Sequence, residues 1–240
     1  MNEVFKIILL TGLAGVAIPI GATLTHFYHD TVNSGRGLIH FMNALGGGLI
    51  LSAVALVLIP DGIKYLSITS SSIAFILGTI CFCLIDHRLS KASGGIGLLL
   101  AMLLDFVPEA IALGASYVEN PKLAIFLAII IGLQNIPEGF NSYLEIKKST
   151  KSKVLIKWLF PLFILLSLFG PLSGYIGYSF FSESHETLGF LMVFSSGGIL
   201  YLIFQDVAPK STGDKEWLPP LGACLGFLIG LIGHQVSQML

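Results

Sequence analysis

The chain has 240 residues, of which 54% are apolar and only 11% charged, with a formal net charge of −1 and a mean hydropathy of +0.86. A soluble domain carries about 25% charged residues, and roughly 20 apolar residues span a bilayer as a helix. An ordinary soluble domain is therefore excluded, and the near-neutral charge leaves no nucleic-acid footprint.

Charge, Pro and Gly cluster in short gaps, and the runs between them predict helices at about 4–28, 37–60, 65–86, 94–118, 122–146, 155–181, 187–208 and 218–238. Met1 to Lys6 carries Glu3 and Lys6, the run that follows is long and no small-residue cleavage site ends it, which reads as a span and not as a secretory signal. The second contains Asn43, expected to bond a neighbouring helix, and ends at Pro60 and Asp61. Cys81, Cys83 and Cys224 all sit in apolar runs and read as packing residues, not as a disulfide framework. His26, His40 and His234 lie in or near helix ends and read as hydrogen-bonded interfacial residues. Gln205 and Asp206 lie towards one end of the seventh run, and Asp61 at one end of the second; next to prolines at helix ends, they read as ordinary interfacial residues, with lining of the inner vestibule the alternative for Asp206.

Basic residues orient the spans. With the N-terminus outside, the inner gaps hold Arg36, Arg88, Lys91, Lys147, Lys148, Lys151, Lys153, Lys157, Lys210 and Lys215, and the outer gaps hold Lys6, Lys64 and Lys122. Ten against three is a strong bias and accounts for all 13 basic residues. An even number of spans puts the C-terminus outside too. The segment from Lys147 to Lys157 then faces the cytoplasm, as a topology signal that can also meet anionic lipid.

Two internal echoes stand out. DFVPEA at 105–110 echoes QNIPEG at 134–139. GGLIL at 47–51, with Pro60 downstream, echoes GGILY at 197–201, with Pro209 downstream. The second pair joins helices two and seven, which cross in opposite directions, and an inverted repeat of that kind marks a transporter.

Carboxylates near the bilayer centre cost about 2.5–3.5 kcal/mol each on insertion scales and are functional candidates by default. Asp105 and Glu109 share one face of helix four at i,i+4, and Gln134 and Glu138 repeat that spacing in helix five. Each pair encloses a proline, Pro108 or Pro137, which frees the carbonyl of Leu104 or Leu133. Packed face to face, the two helices would make a cluster of oxygens with no basic residue to neutralise it. Three such carboxylates repel and take up protons, and a divalent cation resolves that repulsion. A proton relay, or carboxylates held neutral for structure, are the alternatives.

Together these motifs resemble the ZIP family (Zrt-, Irt-like proteins) of divalent-metal transporters over nearly the whole chain. QNIPEG at 134–139 and DFVPEA at 105–110 are similar to the family's paired HNxPEG and HxxPE motifs. LIPDG at 58–62 and GGILYLIFQDVAP at 197–209 add support. The resemblance implies an all-α membrane protein with eight transmembrane helices in a 3+2+3 arrangement. Helices 1–3 and 6–8 would form inverted repeats around central helices 4 and 5, as one transporter domain over 1–240. It also implies a binuclear metal centre midway across the membrane. Its first site would use Asp105, Glu109, Gln134 and Glu138; its second would use Asn135, with Glu109 and Glu138 as bridges. This chain departs from the pattern at several positions. Asp105 and Gln134 stand where the family has histidines, Phe106 replaces an asparagine, Gly170 a glutamate and Val57 a histidine. The second site is thus expected to be weakened. An all-oxygen first site moves the expected ion towards the harder end of zinc, manganese and iron.

The leading expectation is a divalent metal ion transporter working towards the cytoplasm from the plasma (inner) membrane. The alternative is a protein of the same fold that binds metal or protons without transporting metal. Expected partners are membrane lipids and the divalent metal ion itself as substrate, with a homodimer compatible with the sequence and no nucleic acid. No Ser/Lys or Ser/His pair at matching depth and no HExxH motif appears, so no enzyme is expected.

Overall fold

The computed structural model describes residues 2–28, 36–89, 96–149, 153–211 and 217–239. Lys91, Lys151 and Lys215, counted above for orientation, lie outside the described residues, as do the side chains of His26, Arg36, Lys153 and Lys210. The described residues are helical apart from short links, and each expected run forms a helix. These are α1 (Glu3–Tyr28), α2 (Arg36–Ala53, a π turn at Val54–Leu58, then Ile59–Ile63) and α3 (Ile68–Leu89). Next come α4 (Ile96–Glu119), α5 (Pro121–Ser149) and α6 (Lys153–Ser167 and Phe169–Phe181). The last are α7 (His185–Leu202, a π turn at Ile203–Val207, then Ala208–Lys210) and α8 (Leu218–Met239).

Seven of the eight are long and apolar enough to cross a membrane. The other, α4, has 24 residues and carries Asp105, Glu109 and Glu119. At 1.5 Å per residue its length is about 36 Å, more than the roughly 30 Å hydrocarbon core. The chain is an integral multi-pass membrane protein.

Two local departures from the expected helices have physical causes. The sixth is not continuous: it breaks at Leu168, three residues before Pro171. That proline has no N–H for the carbonyl of Ser167, and its ring crowds the same group; the chain tightens there into a Leu168 N–H to Leu165 carbonyl bond of 3.1 Å. The third begins at Ile68, three residues later than expected, because Ser67 caps it by accepting the Ser70 N–H at 3.1 Å.

The two π turns occupy matching places. In α2 the Ile59 N–H reaches back five residues to the Val54 carbonyl, and in α7 the Ala208 N–H does the same to Ile203. A proline follows two residues after each turn, Pro60 and Pro209. Each turn lies between the paired glycines and the proline of the second echo. Single π turns are frequent at functional sites in helices.

The tightest helix pairs are α2 with α8, α1 with α5, α3 with α7, α1 with α6 and α4 with α6; α2 also meets α7 and α5, and α4 meets α5 and α7. Exchanging 1 with 6, 2 with 7, 3 with 8 and 4 with 5 converts each of these pairings into another of them or, for α1–α6, α2–α7 and α4–α5, into itself. Apolar helices in lipid gain no hydrophobic attraction for one another, so close backbone approach at small residues holds them together. Each tight pair has such approaches. Gly139 of α5 lies against the Ile18 backbone of α1, Gly177 of α6 against Ile111 of α4, Gly226 of α8 against Leu45 of α2, and Gly197 of α7 against Phe75 of α3. Between α1 and α5 a side chain adds to this, with Thr25 Oγ1 donating to the Phe140 carbonyl at 3.0 Å. A Cβ at Gly139 would overlap the Ile18 carbonyl. Gly139→Ala is therefore expected to force α1 and α5 apart and cost about 1–3 kcal/mol, as overpacking does, read as a lower melting temperature in detergent. An unchanged melting temperature would contradict this packing.

Candidate metal site

Helices α4 and α5 bring the expected polar residues together in the interior. Asp105 is 8% exposed, Glu109 2%, Gln134 0% and Asn135 1%. Gln134 Nε2 donates to Glu109 Oε2 at 2.5 Å and ties the two helices at the level of both motifs. Asp105 lies within electrostatic reach of Glu109 and Asp206, and Glu138 within reach of Asp105 and Glu109. The five side chains share a further property. Asp105 Oδ1, Glu109 Oε1, Gln134 Oε1, Asn135 Oδ1 and Glu138 Oε2 are all buried acceptor oxygens without a hydrogen-bond partner. Buried polar groups are nearly always paired. A concentration of unpaired acceptors, three of them on carboxylates, is chemistry suited to a cation.

The five do not converge equally. Among the described residues, no three His, Cys, Asp or Glu side chains come close enough to hold an ion by themselves. Asn135, expected to serve a second site, turns its amide towards α1 and donates Nδ2 to the Ala14 carbonyl at 2.8 Å. Phe106, in the position after Asp105, is fully buried, and its ring fills the space beside Gly15 of α1 and Gly170 of α6. The side-chain volume that Gly170 lacks is the volume that the ring takes.

A cavity of about 450 Å³ reaches Asp105 and Glu138 from one end of the helices. Its walls include His40, Asn43 and Gly47 of α2, Pro137, Asn141 and Glu145 of α5, and Asp206 of α7. Asp206 is presented from within the π turn of α7. Asn43 does bond a neighbouring helix: Asn141 Nδ2 donates to its Oδ1 across the cavity wall. The cavity opens towards Lys148, at the end of α5 that carries the basic segment. Asn141, Ser142 and Glu145 do not stand out in the sequence, although they follow Glu138 at three, four and seven residues, the spacing of one helix face.

The opposite end is closed. Next to Glu109 along α4, the side chains of Ala112 and Ala115 pack with Ile50, Val54 and Leu58 of α2 and with Leu188, Met192 and Ile199 of α7. Beyond this apolar layer a smaller cavity of about 240 Å³ holds Asp61, Ser116, Glu119 and Asn120. Asp61 pairs with Lys64 at the helix end, the interfacial placement expected for it.

Among the comparisons with known proteins, no family model matches the chain. It is similar to the zinc transporter GufA of Myxococcus xanthus, at 30% identity over 148 residues. The match takes in 61% of this chain and 57% of that protein, so it spans little more than half of the relative's length. The resemblance to a family of divalent-metal transporters, read from the paired motifs, is borne out by this similarity.

Proposed function

We propose that the chain carries a divalent metal ion across the membrane towards the cytoplasm, binding it between α4 and α5 on the way. The observation that carries this reading is the set of unpartnered buried oxygens on Asp105, Glu109, Gln134, Asn135 and Glu138. Two of these residues, Asp105 and Glu138, line a cavity that opens at one end of the bundle, and beyond Glu109 an apolar layer packs across the other end. One-sided access to a buried ion site is what alternating access requires. Similarity to a protein described as a zinc transporter supports the substrate class. The cavity opens beside Lys148, and the excess of basic residues in the gaps on that side supports a cytoplasmic placement of that end. In this reading the ion is substrate, held by the carboxylates of Asp105, Glu109 and Glu138 with help from the amide oxygens of Gln134 and Asn135. The amides are needed because the carboxylates do not close on one point by themselves.

Uptake by proteoliposomes tests the proposal directly, across a panel of manganese, iron, zinc, cadmium, cobalt and magnesium. At least one divalent ion is expected to accumulate faster than in protein-free vesicles and to compete with the others. Binding without accumulation for every ion would favour the alternative, a protein of this fold that holds metal or protons but does not move metal.

A further inference from the structure

At the end opposite the large cavity, three side chains from three separate elements meet. Glu119 is the last residue of α4. Tyr65 lies in the link between α2 and α3, and His185 is the first residue of α7. The Tyr65 hydroxyl donates to Glu119 Oε1 at 2.7 Å. His185 Nδ1 lies 3.4 Å from Glu119 Oε2, so the two carboxylate oxygens face different partners. The rings of Tyr65 and His185 stack at 5.1 Å with an interplanar angle of 18°, which fixes both around one acceptor. The hydrogen bond to Glu119, with burial and the carboxylate charge beside it, pushes the Tyr65 phenol up to about 12, so it remains a donor throughout the physiological range.

The position of this cluster gives it meaning. The side-chain bonds deeper in the molecule mostly tie helices of one tight group to each other: Thr25 and Asn135 join α1 and α5, Gln134 joins α5 to α4, Thr79 and Tyr201 join α3 and α7. Glu119 instead links the site-bearing helix α4 to α7 and to the α2–α3 link, at the rim of the smaller cavity. Beneath it lies the 240 Å³ cavity, where Ser116 is 4% exposed and its hydroxyl has no partner. Below that is the apolar layer over Glu109.

We infer that Glu119, Tyr65 and His185 form a latch that holds α4, α7 and the α2–α3 link together at this end while the opposite cavity is open, and that releasing it lets these elements part and exposes the buried Ser116 as the first step of opening the other side. The inference rests on the transport reading for its purpose, though not for its test. Tyr65 supplies the hydrogen bond that can be removed without disturbing the stack, and Glu119 is the acceptor on which both contacts depend.

The experiment uses the full chain in detergent, without metal, in a background with Cys81, Cys83 and Cys224 replaced by alanine. Single reporters, Ser116→Cys at the buried floor of the smaller cavity and Ser142→Cys in the larger one, are labelled with a small charged thiosulfonate. Tyr65→Phe is expected to raise the labelling rate at Ser116→Cys about threefold, the scale of a lost contact between half-exposed side chains, and to lower the rate at Ser142→Cys. Glu119→Ala is expected to do at least as much. Unchanged rates would overturn the latch, and so would a rise at both reporters, which signals general loosening in place of an exchange between two states. If the rates trade and no ion is taken up by proteoliposomes, the latch stands and the transport reading falls. If ions are carried and the rates do not move, the latch alone falls.

Discussion

Glu109→Gln and Glu138→Gln are each expected to lower divalent-metal affinity by at least about tenfold, or 1.4 kcal/mol. Both changes keep the volume of the side chain and remove one negative charge from a site that has no basic residue to spare. Glu109 also accepts the amide of Gln134, so the variant replaces a charge-assisted bond between α4 and α5 with a weaker neutral one. Its loss should be the larger of the two. The measurement is competition with a fluorescent chelator on protein in detergent, with a melting curve for each variant to show that the helices still pack. Metal binding should also weaken as pH falls, because carboxylate ligands must be deprotonated to hold the ion. If both variants bind as the unmodified chain does, the ion is held elsewhere and the proposed site is wrong.

Asp105→His together with Gln134→His is expected to raise zinc affinity relative to manganese, by about tenfold or more. Zinc favours imidazole nitrogen over oxygen, whereas manganese is content with carboxylate and carbonyl oxygen. The order of intrinsic affinities still puts zinc ahead of manganese at any one site, so the change is a widened ratio and not a reversal. Gln134 already projects into the site, since its Oε1 is buried and unpaired beside Glu109. An imidazole there keeps a ring nitrogen within reach of the same centre. Competitive binding of the two ions to both proteins gives the ratio. An unchanged or reduced zinc-to-manganese ratio would mean that neither position touches the ion, and the motif assignment would have to be redrawn.

The spans are legible in the sequence because lipid asks a simple thing of it: long apolar runs, with the charges left in the gaps. The site is nearly as legible, for the same reason. Asp105, Glu109 and Glu138 stand out in the apolar background, and helical periodicity alone puts each motif's polar residues on one face, around Pro108 and Pro137. The wide turns at Val54–Leu58 and Ile203–Val207 are not legible. An extra residue in a helix shows in sequence as a slip of the apolar phase, and VALVL is apolar at every position, so there is no phase to slip. The break in α6 has a signal in Pro171, but a proline does not always break a helix: Pro19, Pro108 and Pro137 all lie inside unbroken ones. Asn135 sits in the expected helix beside Gln134, yet its amide is held by the Ala14 carbonyl, a partner 121 residues away that no local pattern announces. Tyr65, Glu119 and His185 give no signal, because polar residues near helix ends are ordinary and only tertiary packing brings these three together.

The apolar layer formed by Leu58, Ala112, Leu188, Met192 and their neighbours has an electrical consequence. Ions in bare hydrocarbon surroundings face a Born penalty of tens of kcal/mol. A packed layer of this kind opposes the passage of bare ions in this conformation. It also means that no ion crosses by simple diffusion along a pore. Under the transport proposed above, each ion would wait for packed helices to move past one another, a motion on the microsecond-to-millisecond scale. Throughput would then be set by that mechanical cycle and saturate with ion concentration, so flux through a vesicle membrane would come as counted turnovers and not as a current.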